Sequence, residues 1–181
     1  RAILGLLEPG SDTEDKVLRL EELHRFVHVS LPTPTGPVWN LTDIWRNILE
    51  GLKQAAVWCD REQTSLTSIG VDCWGVDWAL ISDSGELLLL PHCYRDPKNV
   101  AVHDRVLAKL GGFEWLYGRT GIQDMAINTV YQVAARFEQE PDVFRSARHF
   151  VFLPDLFHYW LSSEIAVERT VASTAAMLHV E

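Results

Sequence analysis

Apolar and polar positions alternate or run in short blocks at the start of the chain, then recur with a helical period. Residues 1–7 (Arg-Ala-Ile-Leu-Gly-Leu-Leu) and 17–28 are apolar or alternating. Turn chemistry at Pro9-Gly10-Ser11-Asp12 separates them, which predicts a β-hairpin. Residues 29–40 carry Pro32, Pro34, Gly36 and Pro37 and read as a loop. Thr42 can cap a helix starting near Asp43, with the acidic residue favourable in the first turn. Ile44, Ile48, Leu52 and Ala55 follow at helical spacing, with Trp45 and Leu49 widening the stripe, and the helix is predicted to end near Asp60.

Leu66 to Val71 reads as a buried strand. Val76–Ile81 and Leu87–Leu90 flank Asp83-Ser84-Gly85, a hairpin signal. From residue 97 the pattern turns helical. Val102, Val106 and Leu110 share one face, and Gly111-Gly112 ends that helix. Phe113–Tyr117 adds a further turn or two. Asn128–Gln139 is amphipathic and closed by Pro141, Phe150–Leu153 is a short apolar run, and Asp155–Leu161 is helical and aromatic. A hairpin, a helix and further strands before a helical second half predict an α/β domain with a mixed sheet and one parallel crossover. Ligands collect beyond the carboxyl ends of strands in such sheets, which is where Asp72–Asp77 is expected.

At 181 residues the chain is long enough for one domain with a real core. Twenty-five acidic against 16 basic residues leave a formal net charge of −9. That balance argues against a nucleic-acid partner, which needs a basic face. The three cysteines, Cys59, Cys73 and Cys93, form no Cys-x-x-Cys pair, so a reducing, cytoplasmic setting is expected. The longest aliphatic run, Leu87–Leu90, is far short of the roughly 20 residues of a membrane span, and no membrane partner is expected. The chain opens on Arg1 inside a strand-like run and stops without a capping signal, as a fragment of a longer protein would.

Candidate chemistry gathers in Ser68–Asp77 (Ser-Ile-Gly-Val-Asp-Cys-Trp-Gly-Val-Asp). Asp72 and Asp77 offer carboxylates to sugar hydroxyls or a metal. Trp74 offers a flat apolar face, and Gly75 lets a ligand approach the backbone. The plainer alternatives are that Asp72 caps a turn and Trp74 is core. Tyr94-Arg95-Asp96 supplies an aromatic ring and a fork of donors, or else a surface Arg-Asp pair. Asn128 suits a helix N-cap. His24, His28, His92 and His103 lack metal-ligand spacing and read as structural or exposed. A metal-dependent nuclease would need a third acid beside Asp72 and Asp77.

Several motifs, taken together and in register, resemble one family. They are Ser68–Asp77, Tyr94-Arg95-Asp96, Arg-Thr-Gly-Ile-Gln (119–123), Asn-Thr-Val-Tyr-Gln (128–132), Leu-Pro-Asp-Leu-Phe (153–157) and Ala-Ser-Thr (172–174). With His24-Arg25-Phe26, they resemble the rhamnulokinases of the FGGY carbohydrate kinases over nearly the whole chain. The resemblance implies a ribonuclease-H-like (actin-like ATPase) α/β domain with a mixed sheet flanked by helices, its first strand missing. Residues 1–181 then form a partial N-terminal domain. It implies ATP-dependent, magnesium-assisted phosphorylation of L-rhamnulose at O1 by the full-length parent. It matches Gly75 to the family's sugar-contacting glycine, with Trp74, Asp72, Asp77, Tyr94 and Arg95 around the same pocket. Of the family's phosphate loop only a terminal arginine, Arg1, is present as a nucleotide contact, and no catalytic base is assignable. The fragment alone is therefore expected to be inactive, binding neither ATP nor Mg2+. Cys73, Asp124, Ala126 and Ile127 depart from the family pattern and leave the exact sugar open. The competing reading is a non-catalytic sugar- or protein-binding module built on the kinase fold.

Overall fold

The computed structural model describes residues 1–9 and 16–180. These divide into two compact units, residues 1–29 with 40–69, and residues 30–39 with 70–181.

In the first unit, β1 (Ala2–Pro9) pairs antiparallel with β2 (Lys16–His24), as the alternating pattern predicts. The predicted turn at Gly10–Asp12 lies outside the described residues. Helix α1 (Leu41–Arg61) begins two residues before the expected start. Asn40, not Thr42, is the N-cap: its side-chain oxygen accepts from the Asp43 N–H at 3.3 Å, while Thr42 is already helical. The stripe on α1 ends in Trp58 and Cys59, which pack with Leu4, Leu6 and Leu23 of the hairpin. His24, at the end of β2, pairs with Asn47 of α1 at 2.9 Å.

Leu66–Val71 is not the buried strand its sequence predicts. It joins no ladder among the described residues, and Leu66 and Ile69 are exposed. An apolar run becomes a buried strand only when a neighbouring strand takes up its backbone groups.

In the second unit, the loop read at 29–40 contains a two-residue pairing of β3 (Ser30–Leu31) with β4 (Val38–Trp39). The central pair is β5 (Trp78–Ile81) with β6 (His149–Phe152), antiparallel and largely buried. The Asp83–Gly85 turn forms, with the Gly85 N–H donating to Ser82 O at 3.1 Å. Leu87–Leu90 makes only a bridge to Ile81 and is not the strand expected. Beyond it the chain veers to β4, where the Trp39 N–H donates to Pro91 O and the Cys93 N–H to Pro37 O, both at 2.9 Å. The expected parallel crossover is absent too: all three ladders among the described residues are antiparallel.

Helices α2 (Pro97–Lys109), α3 (Phe113–Thr120) and α4 (Thr129–Gln139) follow the predicted periodicity. They share a core of Val102, Val106, Leu116, Tyr131 and Ala135. Helix α5 (Pro141–Ser146) leads into β6, followed by α6 (Leu153–Ser162) and α7 (Arg169–Ser173). A second core, Trp78, Leu80, Phe152, Ala172 and Ala175, joins α7 to the central strands.

Candidate functional site

Because Leu66–Val71 forms no strand, Asp72–Asp77 does not leave one at its carboxyl end. It enters β5 instead. Its neighbour is the carboxyl end of antiparallel β6, where the Leu153 N–H donates to Asp77 O at 3.0 Å. The segment thus reaches a strand end from the opposite direction.

Two further elements clasp its backbone. The Thr174 hydroxyl, after α7, donates to Gly75 O at 2.8 Å. From the first turn of α4, the Thr129 hydroxyl and the Gln132 amide donate to Val76 O at 2.6 and 3.2 Å. Gln132 also donates to Ile127 O at 2.8 Å. Asn128 stands at the N-cap position, but its side-chain oxygen accepts from Met125 N at 2.7 Å instead of capping α4. Gly75 is the point of closest approach: a Cβ there would lie 3.1 Å from the Thr174 hydroxyl oxygen.

Asp77 is fully buried. The Trp39 indole N–H donates to its Oδ2 at 2.7 Å. Burial pushes the carboxyl up to about 7, against the opposing pull of the Trp39 hydrogen bond. Trp39 also packs on Trp74, ring centroids 4.3 Å apart, and stands 6.3 Å from Tyr94. The result is an aromatic wall with a carboxyl behind it. At its rim, Arg95 is exposed and its Nε–H donates to the Tyr94 hydroxyl at 3.1 Å. Asp96 turns away to cap α2 through the Lys98 N–H and to meet His92 at 3.1 Å, so no Arg95–Asp96 surface pair forms.

Of the residues singled out by sequence, Trp74, Asp77, Tyr94 and Arg95 come together around Trp39, with Gly75 beside them in the chain. Asp72 is exposed and caps no backbone amide among the described residues. Arg1 belongs to the other compact unit, exposed and 3.6 Å from Glu22. Among the described residues no three His, Cys, Asp or Glu side chains converge to hold a metal ion. The Cys73 thiol is pushed up to about 12 by burial and by the nearby Asp72, Asp77 and Asp155, so it is no nucleophile. All three cysteines are free.

Sequence reasoning missed Trp39, Thr129, Gln132 and Thr174 as parts of this site. The signal for the last three was their place in the 128–132 and 172–174 motifs. Trp39 offered only a large ring in a proline-rich loop, which needs somewhere to bury itself.

The fold is that of sugar kinases of known structure. The sequence model of the FGGY family of carbohydrate kinases, N-terminal domain, matches residues 12–181, and the chain belongs to that family. Over 169 residues it is 38% identical to the rhamnulokinase of Pectobacterium atrosepticum, covering 93% of this chain and 33% of that protein. The chain thus spans about a third of that relative's length. Two solved structures share the fold at low identity. The xylulose kinase from Rhodospirillum rubrum matches with a TM-score of 0.70 at 17% identity, over 98% of this chain and 36% of its own. The gluconate kinase from Lactobacillus acidophilus matches with a TM-score of 0.65 at 13%, over 92% and 32%.

Proposed function

We propose that this chain is the sugar-binding part of a carbohydrate kinase whose substrate is L-rhamnulose or a related ketose, phosphorylated at O1. The observation that carries the reading is the Trp39–Trp74–Tyr94 wall over buried Asp77. It occurs in a chain that resembles a rhamnulokinase along nearly its whole length. In this reading Trp74 and Tyr94 present apolar faces to the sugar carbons. Arg95, at the rim, and exposed Asp72 are the groups free to meet hydroxyls. Gly75 keeps the backbone close, and Asp77 holds the wall from behind through Trp39.

The kinase reaction also needs a nucleotide and magnesium, which supply the phosphoryl group and neutralise its charge when bound. Neither is assigned to this chain: among the described residues no three His, Cys, Asp or Glu side chains converge to hold a metal ion, and Arg1 lies 3.6 Å from Glu22. This chain's contribution is to bind and orient the sugar. The setting proposed is cytoplasmic, and no helix among the described residues is long and apolar enough to cross a membrane.

Calorimetry of the chain with L-rhamnulose, D-xylulose and D-gluconate tests the reading. Saturable binding of the ketose, lost in Trp74→Ala, is the expected result. Equal affinity in wild type and Trp74→Ala, or no ketose binding at all, would overturn it.

A further inference from the structure

Outside the aromatic wall lies a cluster that the sugar reading does not use. His103, on α2, has a carboxylate at each ring nitrogen. Nδ1 is 2.8 Å from Asp104 Oδ1, and Nε2 is 3.0 Å from Asp124 Oδ2. The other oxygen of Asp124 accepts from the Tyr131 hydroxyl of α4 at 2.5 Å, and the His103 and Tyr131 rings are 4.5 Å apart. Asp104 is exposed, whereas the Asp124 side chain is only 14% exposed. The ionisable groups facing His103 are therefore Asp104 on its own helix, Asp124 on the 121–128 segment and Tyr131 on α4.

A neutral imidazole has one N–H to donate, and an imidazolium has two. Two carboxylate acceptors, one on each nitrogen, are both satisfied only by the doubly protonated ring. Burial opposes that charge, but the hydrogen bonds and charges of Asp104 and Asp124 outweigh it and raise the pKa above its ordinary value of 6.5. Tyr131 is raised as well, by burial first and then by Asp124, so it remains a donor.

The cluster is wired to the strand entry. Asp124 opens a short turn closed by Met125 and Asn128, and Asn128 Nδ2 donates to Thr174 O at 3.4 Å. Thr174 in turn holds Gly75 O. Tyr131 shares the first turns of α4 with Thr129 and Gln132, which hold Val76 O.

We propose that His103 is a positioning residue. In its doubly protonated form it locks residues 121–128 onto α2 and so holds Asn128, Thr129 and Gln132 against the Gly75–Val76 backbone, and ketose affinity falls when the proton leaves. The clamp stands on this geometry, while its effect on ketose binding rests on the function proposed above. Because the folded-state pKa is raised, the contribution is complete below about pH 6.5 and is lost as pH climbs through the raised value.

Three measurements test it on the same chain from about pH 6 to 8.5. Histidine NMR gives the His103 midpoint, and hydrogen exchange without ligand gives protection factors for residues 121–128. Calorimetry gives the L-rhamnulose affinity. Protection and affinity are each expected to fall roughly two- to fivefold through the His103 midpoint, the range of a partly exposed ion pair. His103→Gln, which keeps one neutral donor, should flatten both profiles. A wild-type protection profile that is flat through the midpoint overturns the clamp, and so does one that His103→Gln reproduces. Should that variant not fold, the wild-type profile decides. Absence of ketose binding at every pH overturns the substrate reading, while the ligand-free exchange profile still upholds or overturns the clamp.

Discussion

Replacing Asp77 by asparagine removes a carboxyl from a fully buried position while keeping an oxygen that can accept from the Trp39 indole 2.7 Å away. Folding raises this carboxyl from an ordinary 3.8 to about 7, chiefly by burial. For a raised carboxyl pKa, the unfolded state gives up its proton first. The stabilising contribution is complete below pH 3.8 and is lost as pH rises to about 7. Each unit of pKa is worth about 1.4 kcal/mol, so the climb from 3.8 to about 7 costs about 4 kcal/mol. About 3 kcal/mol of that falls between pH 5 and 8.5. Asparagine does not titrate, so urea denaturation of wild type and Asp77→Asn at the two pH values isolates this group. The variant is expected to gain about 3 kcal/mol on wild type as pH rises from 5 to 8.5. A difference that stays flat would refute the reasoning. So would a variant that loses ground at high pH, because the carboxylate would then be stabilised in place by its donors.

Three further outcomes follow from the same geometry. Gly36 has φ +122°, and a Cβ there would sit 2.3 Å from Asp96 Oδ2; Gly36→Ala should cost about 2 kcal/mol or more in urea denaturation, through backbone strain and loss of the α2 cap. Thr129→Val keeps the shape of a fully buried side chain but removes the donor to Val76 O, a loss of about 1–2 kcal/mol by the same assay, with weaker ketose binding by calorimetry. A coupled ADP assay on this chain with L-rhamnulose, ATP and Mg2+ should show no ketose-dependent turnover, because phosphoryl transfer needs a held metal and no three described His, Cys, Asp or Glu side chains converge on one; measurable turnover would refute the division of labour proposed here.

The longer helices were legible because each carries its own evidence, whereas the short α5 and α7 were not foreseen. Backbone bonds in α1, α2 and α4 close within the segment, and the apolar stripe shows the face to be buried. The β1–β2 hairpin was legible for a similar reason, its strands being adjacent in sequence and alternating in pattern. Ends were less secure. Thr42 and Asn40 are both good caps, and Asn40 holds the position because its side-chain oxygen accepts from the Asp43 N–H.

What the amino-acid sequence determined by itself was local: the longer helices, the hairpin, the concentration of chemistry in Ser68–Asp77, and motifs whose joint register resembles a kinase family. Only the tertiary structure decided which strands distant in sequence pair. A strand's partner lies elsewhere in the chain, so Val76–Ile81 found its ladder with residues 149–152, while Leu66–Val71 found none among the described residues. The tertiary structure also decided the roles within the site. Asp72 and Asp77 are the same residue type five positions apart, yet one is exposed and the other lies fully buried under an indole from residue 39. Burial sets a carboxyl's charge, and burial depends on what the rest of the chain packs over it.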